Sequence, residues 1–351
     1  MSQISVNDIS SLDGKSGPVI SGITTVSSTG YMMIPAGPTE YRGGRGRGVF
    51  GGGRLTPTPV AVYTNSIEYV QISTLSDTLD FGDLSFGREH VSGIALASST
   101  RGIWAGGYGA PGEEHISYIT ISSTGNSFDF GDLTGNSRNF ASHSNNTRGI
   151  FGPLYRTPTG TYSPQIQYIT ISTTGNAAEF GEVGSSLSEA GSSGVGDATR
   201  AVFCGGYNDV GTARQNIIHY VTISSFGDSI DFGDLTDIST NSASASGSGR
   251  GIIAGGRRTA SPSNIIDYIT IQSLGDAIDF GDLTSIRNDW KGGASNGTRA
   301  IFAGGYGPSF VYDDSMDYVE IMTTGNAQDF GNLSAGTRYK AGCSDSHGGL
   351  G

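Results

Sequence analysis

The sequence is poor in cysteine and has no long apolar run. Its two cysteines, Cys204 and Cys343, are too few for a disulfide framework, and we expect both to be free thiols. No run of eighteen apolar residues occurs, so insertion into a membrane is not expected. The first residues lack a basic region followed by an apolar core, so a signal peptide is not expected either. No window has apolar residues at helical spacing over three turns, which disfavours a helical fold.

Basic residues are scarce relative to acidic ones. The chain has 20 Lys and Arg against 32 Asp and Glu, and its formal net charge is −12. An acidic chain without a basic stripe is not expected to bind nucleic acid. The segment Arg42–Arg47 resembles an arginine–glycine RNA-binding box, but one short copy in an acidic chain carries little weight.

The abundant features are glycine, with 57 residues, and one segment that recurs along the chain. Residues 118–133 read YITISSTGNSFDFGDL, and close copies begin at Tyr69, Tyr168, Tyr220, Tyr268 and Tyr318. The phenylalanine of this segment recurs with spacings of 49, 50, 52, 48 and 50 residues, at Phe81, Phe130, Phe180, Phe232, Phe280 and Phe330. So regular a period predicts a solenoid, a propeller or an array.

Each repeat unit predicts four short strands, which we call a, b, c and d. In the unit 88–133, small residues form strand a, GIWAGG forms strand b, ISYITIS forms strand c and FDFGDL forms strand d. Strand c alternates with period two and is rich in β-branched residues, and the STGN turn links it to strand d as a hairpin. Four strands per unit of about 50 residues are typical of a propeller blade.

Four features of the unit resemble the kelch motif: an arginine near its start, a double glycine after strand b, an IxY sequence on strand c and an aromatic residue on strand d. Kelch proteins usually have tryptophan at the last position, whereas this chain has phenylalanine. The resemblance implies a propeller fold and no particular activity. We expect the anchor phenylalanines to pack between neighbouring blades and the small residues of strand a to lie nearest the axis.

The two ends of the repeat array complement each other. Residues 338–349 have the composition of strand a, with no strand b, c or d after them, and the first strand b, 47–53, has no complete strand a before it. We therefore predict that residues 41–351 form a six-bladed, kelch-like β-propeller with four strands per blade, closed by the C-terminal strand joining the N-terminal blade. The alternative is an open array.

Residues 1–40 belong to no repeat unit. They contain prolines 18, 35 and 38, and they are interpreted either as a disordered leader or as an extended arm that docks on another subunit. The segment GPVISGITTVSSTGYMMIPAGPTEYRGG, followed by the TIxSTGNAxDFGDLT repeats, resembles virion structural proteins of marine cyanobacterial, T4-like tailed phages. The resemblance implies a component of the virion tail, baseplate, neck or fibre, made in the host cytoplasm and oligomeric within the particle.

Motifs that suggest chemistry have simpler structural interpretations. DFGD resembles the magnesium-binding DFG of protein kinases, but no glycine-rich phosphate loop leads into a helix, so we interpret it as a strand anchor. Each copy offers too few oxygen ligands for calcium. None of the histidines, His90, His115, His143, His219 and His347, recurs at metal-ligand spacing. His143 and His347 fall near a strand a and could approach the axis, but we expect no site from two histidines on non-adjacent blades. No catalytic residue, metal or cofactor is predicted.

The loops between strands b and c are the variable part of each unit and are expected to emerge on one face. Loops on a rigid scaffold commonly carry function, and Tyr and Arg are favoured at interfaces. The candidate binding residues are Tyr63, Tyr155, Arg156, Tyr162, Tyr207, Arg257, Arg258, Tyr306, Phe310 and Tyr312. The unit arginines have a structural interpretation: we expect them to bond backbone carbonyls or the DFGD carboxylates of a neighbouring blade.

Three functions remain open at this stage. The first is a non-enzymatic structural virion protein whose arm docks to the particle and whose loop face contacts other virion proteins. The second is an adhesion module that binds a host receptor or surface glycan through tyrosines of the loop face. The third, an enzyme acting on polysaccharide, is disfavoured because no acid pair or acid–arginine cluster emerges from the sequence.

Overall fold

A computed structural model of the chain describes residues 46–55, 62–89, 95–109, 112–157, 159–184, 191–208, 213–259, 261–288, 292–307 and 311–350. The expected arm, residues 1–40, lies outside the described residues, as do His90 and Phe310. The described chain is all-β, and every strand pairing in it is antiparallel. A 3-10 helix at Gly348–Leu350 is its one helical element among these residues.

Six of the eight sheets in the described chain contain four strands in the predicted order a–b–c–d, and we number these six along the chain. In sheet 1, strands a to d are Ala341–Ser344, Arg47–Gly51, Ser66–Gln71 and Leu79–Asp83; in sheet 2, Leu96–Ala97, Arg101–Ala105, His115–Thr120 and Phe128–Asp132. In sheet 3 they are Ala141–Ser144, Arg148–Gly152, Gln165–Thr170 and Ala178–Glu182; in sheet 4, Ser193–Gly196, Arg200–Asn208, Ala213–Thr222 and Ile230–Asp234. In sheet 5 they are Ala243–Gly247, Arg250–Ala254, Ser261–Thr270 and Ile278–Arg287; in sheet 6, Gly292–Ser295, Arg299–Ala303, Ser315–Glu320 and Gln328–Asn332.

Shorter strands, which the repeat pattern did not predict, extend sheet 5 and form two separate three-stranded sheets beside sheets 1 and 3. In each case the segment that leads into strand a pairs with the b–c loop of the same sheet. The strands are Thr337–Arg338 with Arg54–Leu55 and Val62–Tyr63, then Ser137–Arg138 with Leu154–Arg156 and Thr161–Ser163, and lastly Ser239–Thr240 with Arg257–Arg258. The b–c loops are therefore partly ordered by hydrogen bonds of their own.

The strands a are buried and consist mostly of small residues, as predicted, because neighbouring strands a lie very close together; Leu96, His143 and Val195 are larger. A Cβ atom on Gly293 would lie 1.8 Å from the carbonyl oxygen of Ser244, and one on Gly194 would lie 2.2 Å from that of Ser142. Hydroxyl groups also link these strands, since Ser244 Oγ donates to the carbonyl of Gly194 at 3.0 Å. Larger side chains would force the sheets apart.

The predicted pairing of the C-terminal segment with the first strand b is present. Val49 lies opposite Cys343 and Gly48 lies opposite Ser344. The carboxylate of Asp345 accepts hydrogen bonds from the backbone N–H groups of Gly46 and Arg47, at 2.7 and 3.1 Å. Cys343 and Cys204 are both buried, and neither forms a disulfide, as expected.

The anchor phenylalanines are buried between neighbouring sheets. Phe81 of sheet 1 packs in one cluster with Trp104 and Ile119 of sheet 2. Phe330 of sheet 6 packs in another with Phe50 of sheet 1. The core is thus a series of apolar layers between sheets. Truncation of a buried phenylalanine to alanine typically lowers the free energy of unfolding by about 3–5 kcal/mol.

The repeated STGN and DFGD segments form a clasp between consecutive sheets, a role that the sequence did not predict. Gly125 N donates to Phe81 O at 2.7 Å, and the side chain of Asn126 accepts from Asp83 N at 3.0 Å. A Cβ atom on Gly82 would lie 2.5 Å from the carbonyl of Gly125, so this close approach requires glycine. The clasp occupies backbone groups of strand d that would otherwise form an open sheet edge.

The unit arginines also link consecutive sheets, through backbone carbonyls rather than through DFGD carboxylates. Arg101 donates to the carbonyl of Ile171 at 2.8 Å, and its guanidinium lies 4.6 Å from the ring centroid of Tyr118. The equivalent pairs are Arg47 with Ile121, Arg148 with Ile223, Arg200 with Ile271, Arg250 with Ile321 and Arg299 with Ile72. The last pair joins sheet 6 to sheet 1.

Candidate interaction surface

The antiparallel order of the strands places all b–c loops at one end of the sheets, together with the segments that lead into the strands a. We call this end the loop face. The a–b and c–d turns lie at the opposite end, which we call the turn face. Most of the predicted binding residues within the described chain lie on the loop face, and tyrosine–arginine contacts connect several of them.

A first cluster connects the loops of sheets 1, 2 and 3. The rings of Tyr63 and Tyr108 meet edge to face with centroids 5.7 Å apart. The guanidinium of Arg138 lies between Tyr108 and Tyr155, 4.7 and 5.1 Å from their ring centroids. Tyr155 in turn contacts Tyr162 at 5.1 Å. These side chains therefore form one continuous aromatic row with a cation inside it.

A second cluster connects sheet 6 to sheet 1. The guanidinium of Arg338 lies 5.7 and 5.3 Å from the ring centroids of Tyr306 and Tyr312. Glu89, which is buried, forms ion pairs of 3.8 Å with both Arg338 and Arg54. Sequence reasoning missed Arg138 and Arg338, although both precede a strand a at equivalent positions, in SRNF and TRYK.

Glu89 joins the two clusters electrostatically. Burial raises the pKa of the Tyr63 hydroxyl, and the negative charge of Glu89 raises it further. Tyr63 therefore stays neutral and able to donate a hydrogen bond over the whole physiological pH range. The two clusters form a tyrosine–arginine belt across the loops of sheets 6, 1, 2 and 3.

The remaining predicted residues lie apart from this belt or below the surface. Tyr207 contacts the guanidinium of Arg214 in sheet 4, at 5.6 Å. Arg156 donates to the carbonyl of Gly135 and so orders its own loop. Arg257 is exposed. Arg258 is only 5% exposed and is therefore removed from the candidate surface.

Arg258 belongs to a set of buried ion pairs that the sequence did not reveal. Its guanidinium donates to the carboxylate of Asp267 at 2.7 Å. The residue before the strand c tyrosine supplies the acid in each pair. The other pairs are Glu68 with Lys340 at 2.6 Å and Asp317 with Arg287 at 2.9 Å. These carboxylates are held by partners inside the fold, so they are not presented to a substrate.

The electrostatics of Glu68 show how tightly one of these pairs is held. Burial on its own would raise the pKa of this carboxyl group. The charge and hydrogen bond of Lys340, with hydrogen bonds from Ser334 and Thr78, outweigh that effect and lower its pKa to about 2. Glu68 is therefore ionised at every physiological pH.

The structure brings His143 and His347 together, although they belong to non-adjacent sheets. Their ring centroids lie 5.6 Å apart, beside a cavity of about 20 Å³ between the strands a. His347 Nδ1 accepts from Gly349 N, so its Nε2 carries the proton and donates to the carbonyl of Ala97. Burial lowers the pKa of His143 to about 3 and that of His347 to about 4, so both are neutral at pH 7. The cavity has room for one water molecule.

The described residues lack two features that would point to other functions. No group of three or more His, Cys, Asp or Glu side chains is placed there to hold a metal ion. No helix in these residues has the length and apolarity needed to cross a membrane. In comparisons with known proteins, neither a family model nor a curated protein matches the chain.

Proposed function

We propose that the six sheets form a closed, six-bladed, kelch-like β-propeller. Support comes from contacts between sheets 6 and 1 that repeat those between the other neighbours. Arg299 donates to the carbonyl of Ile72 at 3.2 Å, as the other unit arginines do to their neighbours. Asn332 N donates to the side chain of Asp77 at 2.9 Å, which is the clasp contact. A closed ring also leaves no unpaired sheet edge at the ends of the array.

This propeller serves as a non-enzymatic structural component of a tailed phage virion. Residues 1–40 dock it to the particle, and the loop face contacts other virion proteins. The resemblance of both the N-terminal segment and the repeats to cyanobacterial phage virion proteins supports the location. The observation that carries the interaction role is the tyrosine–arginine belt, because these residue types are the favoured anchors of protein interfaces and here they stand on an ordered scaffold.

The pairing of buried charged side chains with one another supports a role without catalysis. The three buried carboxylates before the strand c tyrosines each pair with Lys or Arg at 2.6–2.9 Å. The unit arginines are engaged by carbonyl groups and tyrosine rings. These carboxylates and arginines therefore join strands and sheets, whereas an active site needs acids or bases that face a substrate.

Particle assembly tests this proposal. A chain that lacks residues 1–40 should fold with an unchanged thermal midpoint but should be absent from purified virions, measured by quantitative mass spectrometry of the particles. The full-length chain with a substitution on the turn face, Phe128→Ala, is the control and should be incorporated normally. Normal incorporation of the truncated chain, or absence of the full-length chain from the particles, would contradict the proposal.

A host-glycan adhesion module is the second candidate, and the exposed ring of Tyr108 favours it. Tyr108 is 40% exposed and lies in a row with three other tyrosines, an arrangement on which sugar rings could stack. Binding of residues 41–351 to host envelope polysaccharide, lost in Tyr108→Ala, would favour this candidate. Binding that Tyr108→Ala leaves unchanged would count against it.

A further inference from the structure

A second set of exposed apolar side chains lies at the turn face, at repeated positions. One position is the residue that begins strand d, and the other is the second residue of the c–d turn. The exposed apolar residues at these positions are Leu75 and Leu79 in sheet 1, Phe128 in sheet 2, Phe226 and Ile230 in sheet 4, and Leu274 and Ile278 in sheet 5. We concentrate on sheets 4 and 5, which are neighbours and carry an apolar residue at both positions.

The four side chains of sheets 4 and 5 are exposed by 59, 56, 58 and 57% for Phe226, Ile230, Leu274 and Ile278. The fold does not require apolar residues there, because sheet 6 has Thr324 and Gln328 at the same positions and sheet 3 has Thr174 and Ala178. Adjacent exposed apolar side chains that folding does not require are typical of an interaction surface.

The apolar surface is held in place by its neighbours. The ring of Phe226 contacts Tyr168 and Phe180 of sheet 3, with centroids 5.1 and 5.5 Å apart, and the guanidinium of Arg148 lies 4.8 Å from it. Leu274 occupies the same position in the turn of sheet 5. A side chain that is already oriented loses little conformational entropy when a partner binds.

Exposed carboxylates are neighbours in sequence of these four side chains. Asp228 and Asp231 in sheet 4 and Asp276 and Asp279 in sheet 5 are all exposed. The oxygens of Asp228 and Asp276 that face the sheet accept backbone N–H groups of the clasp, at 3.0 Å each, which fixes the positions of the charges. The partner that complements this surface combines apolar side chains with positive charge. A second copy of the chain has a net charge of −12 and would be repelled by these carboxylates.

The clasp also restricts the mode of binding. Phe232 O accepts from Gly275 N, and Asp234 O accepts from Ala277 N, at 2.9 and 2.7 Å. The outer backbone groups of strand d in sheet 4 are thus occupied at these residues. A partner cannot extend the sheet there by adding a strand, so recognition takes place through side chains.

We propose that Phe226, Ile230, Leu274 and Ile278, with the turn carboxylates Asp228 and Asp276, form a docking site for a protein segment in which Lys or Arg residues are interleaved with Leu, Ile or Phe. The site lies at the end opposite the tyrosine–arginine belt. It gives the chain two interaction faces of different chemistry, and it does not depend on the virion proposal.

Peptide binding to the full-length chain tests this docking site. The probe is a short fluorescent peptide that alternates lysine with leucine and phenylalanine, and its affinity is measured by fluorescence anisotropy. The test variant is Phe226→Thr/Ile230→Gln/Leu274→Thr/Ile278→Gln, which installs the residues found in sheet 6 and so preserves the fold. We expect its affinity to be at least about tenfold weaker than that of the unchanged chain. The matched control, Val311→Thr, changes an exposed apolar residue of the loop face outside the tyrosine–arginine belt and should bind as the unchanged chain does.

Two further measurements separate this proposal from its alternatives. A peptide with glutamate in place of lysine should not bind, and added salt should weaken binding of the lysine peptide because exposed charges contribute to it. Equal affinity of the quadruple variant, or equal binding of the glutamate peptide, would overturn the proposal. Self-association of the unchanged chain that the quadruple variant abolishes would also overturn it, because the occupant would then be a second copy.

Discussion

At the scale of single residues, one strand position shows how the repeat tolerates variation in buried polar groups. The residue before the strand c tyrosine is Glu68, Ser117, Gln167, His219, Asp267 and Asp317 in sheets 1 to 6. Where this residue is an acid, a buried Lys or Arg side chain is its partner. In sheet 2 the hydroxyl of Ser117 accepts a hydrogen bond from the guanidinium of Arg88 at 2.7 Å. The backbone repeats, while each acid at this position has a basic partner of its own, because a buried charge without a partner costs several kcal/mol.

The low pKa of Glu68 predicts a pH-dependent contribution to stability. Its pKa of about 2 in the folded chain lies below the usual glutamate value of 4.5. The ionised carboxylate therefore stabilises the fold fully above about pH 4.5, and this contribution is lost as the pH falls towards 2. Glu68→Gln should lower the free energy of unfolding at pH 7 by about 3 kcal/mol. The difference from the unchanged chain should shrink on acidification, as measured by urea unfolding at pH 7 and pH 3.

Sheet 3 provides the structural precedent for this substitution. Gln167 is buried there at the equivalent position, so a glutamine side chain fits the space. If Glu68→Gln reduced stability equally at both pH values, the loss would come from packing and not from the ionised pair.

The anchor phenylalanines predict a second effect at this scale. Phe232 is buried between sheets 4 and 5, so Phe232→Ala should lower the free energy of unfolding by about 3–5 kcal/mol. Phe128→Ala, at an exposed position of sheet 2, is the control and should change it by less than about 1 kcal/mol. Equal thermal midpoints for the two variants would argue against the placement of Phe232 in the core.

At the scale of secondary-structure elements, the clasp is what connects one sheet to the next. It uses the c–d turn of one sheet and strand d of the preceding sheet. The repeated sequences of these two segments are therefore required by contacts between sheets and not only by the hairpin to which each belongs. This accounts for the joint repetition of the turn and DFGD along the chain. The glycine of DFGD is needed where the turn of the next sheet approaches the strand.

A pair of glycines in sheet 3 tests the clasp. A Cβ atom on Gly181 would lie 2.1 Å from the carbonyl oxygen of Gly227, while one on Gly184 meets nothing within 4 Å among the described residues. Neither glycine has a left-handed φ, so the comparison isolates the close approach. Gly181→Ala should destabilise the chain by about 1–3 kcal/mol, and Gly184→Ala by less than about 1 kcal/mol, in chemical denaturation. A reversed order would show that the sheets do not approach each other at this glycine.

At the scale of the whole molecule, the two ends of the repeat array are joined by several independent contacts. Strand a of sheet 1 comes from the C-terminal segment and pairs with the first strand b. Lys340, which precedes this strand, supplies the cation for Glu68. The hydroxyl of Ser344 donates to the carbonyl of Ser295 in sheet 6. Segments distant in sequence therefore stabilise one another.

Two C-terminal deletions test this joining. Removal of residues 340–351 eliminates the strand and leaves Glu68 buried without its cation. The thermal midpoint should fall by roughly 10 °C or more, since breaking such a pair alone costs about 3–5 kcal/mol. Removal of residues 347–351 retains the strand and should cause a clearly smaller loss. Equal midpoints for the longer deletion and the unchanged chain would contradict this account.

The local sequence determined the repeated parts of this protein. The six units, their four strands, the buried phenylalanines and the small residues of the strands a could all be predicted, because alternation, turn residues and side-chain size act over a few neighbouring residues. The pairing of the C-terminal strand with the first strand b was also predictable, since an incomplete unit at each end leaves only that complement.

Only the tertiary structure decided which distant side chains meet. The pairing of Lys340 with Glu68, the contact of His143 with His347, the placement of Arg138 between two tyrosines, and the burial of Arg258 depend on distances between sheets, which no local pattern encodes. The clasp was missed for the same reason: its turn and its strand belong to different units, so each half seemed complete when the chain was interpreted one unit at a time.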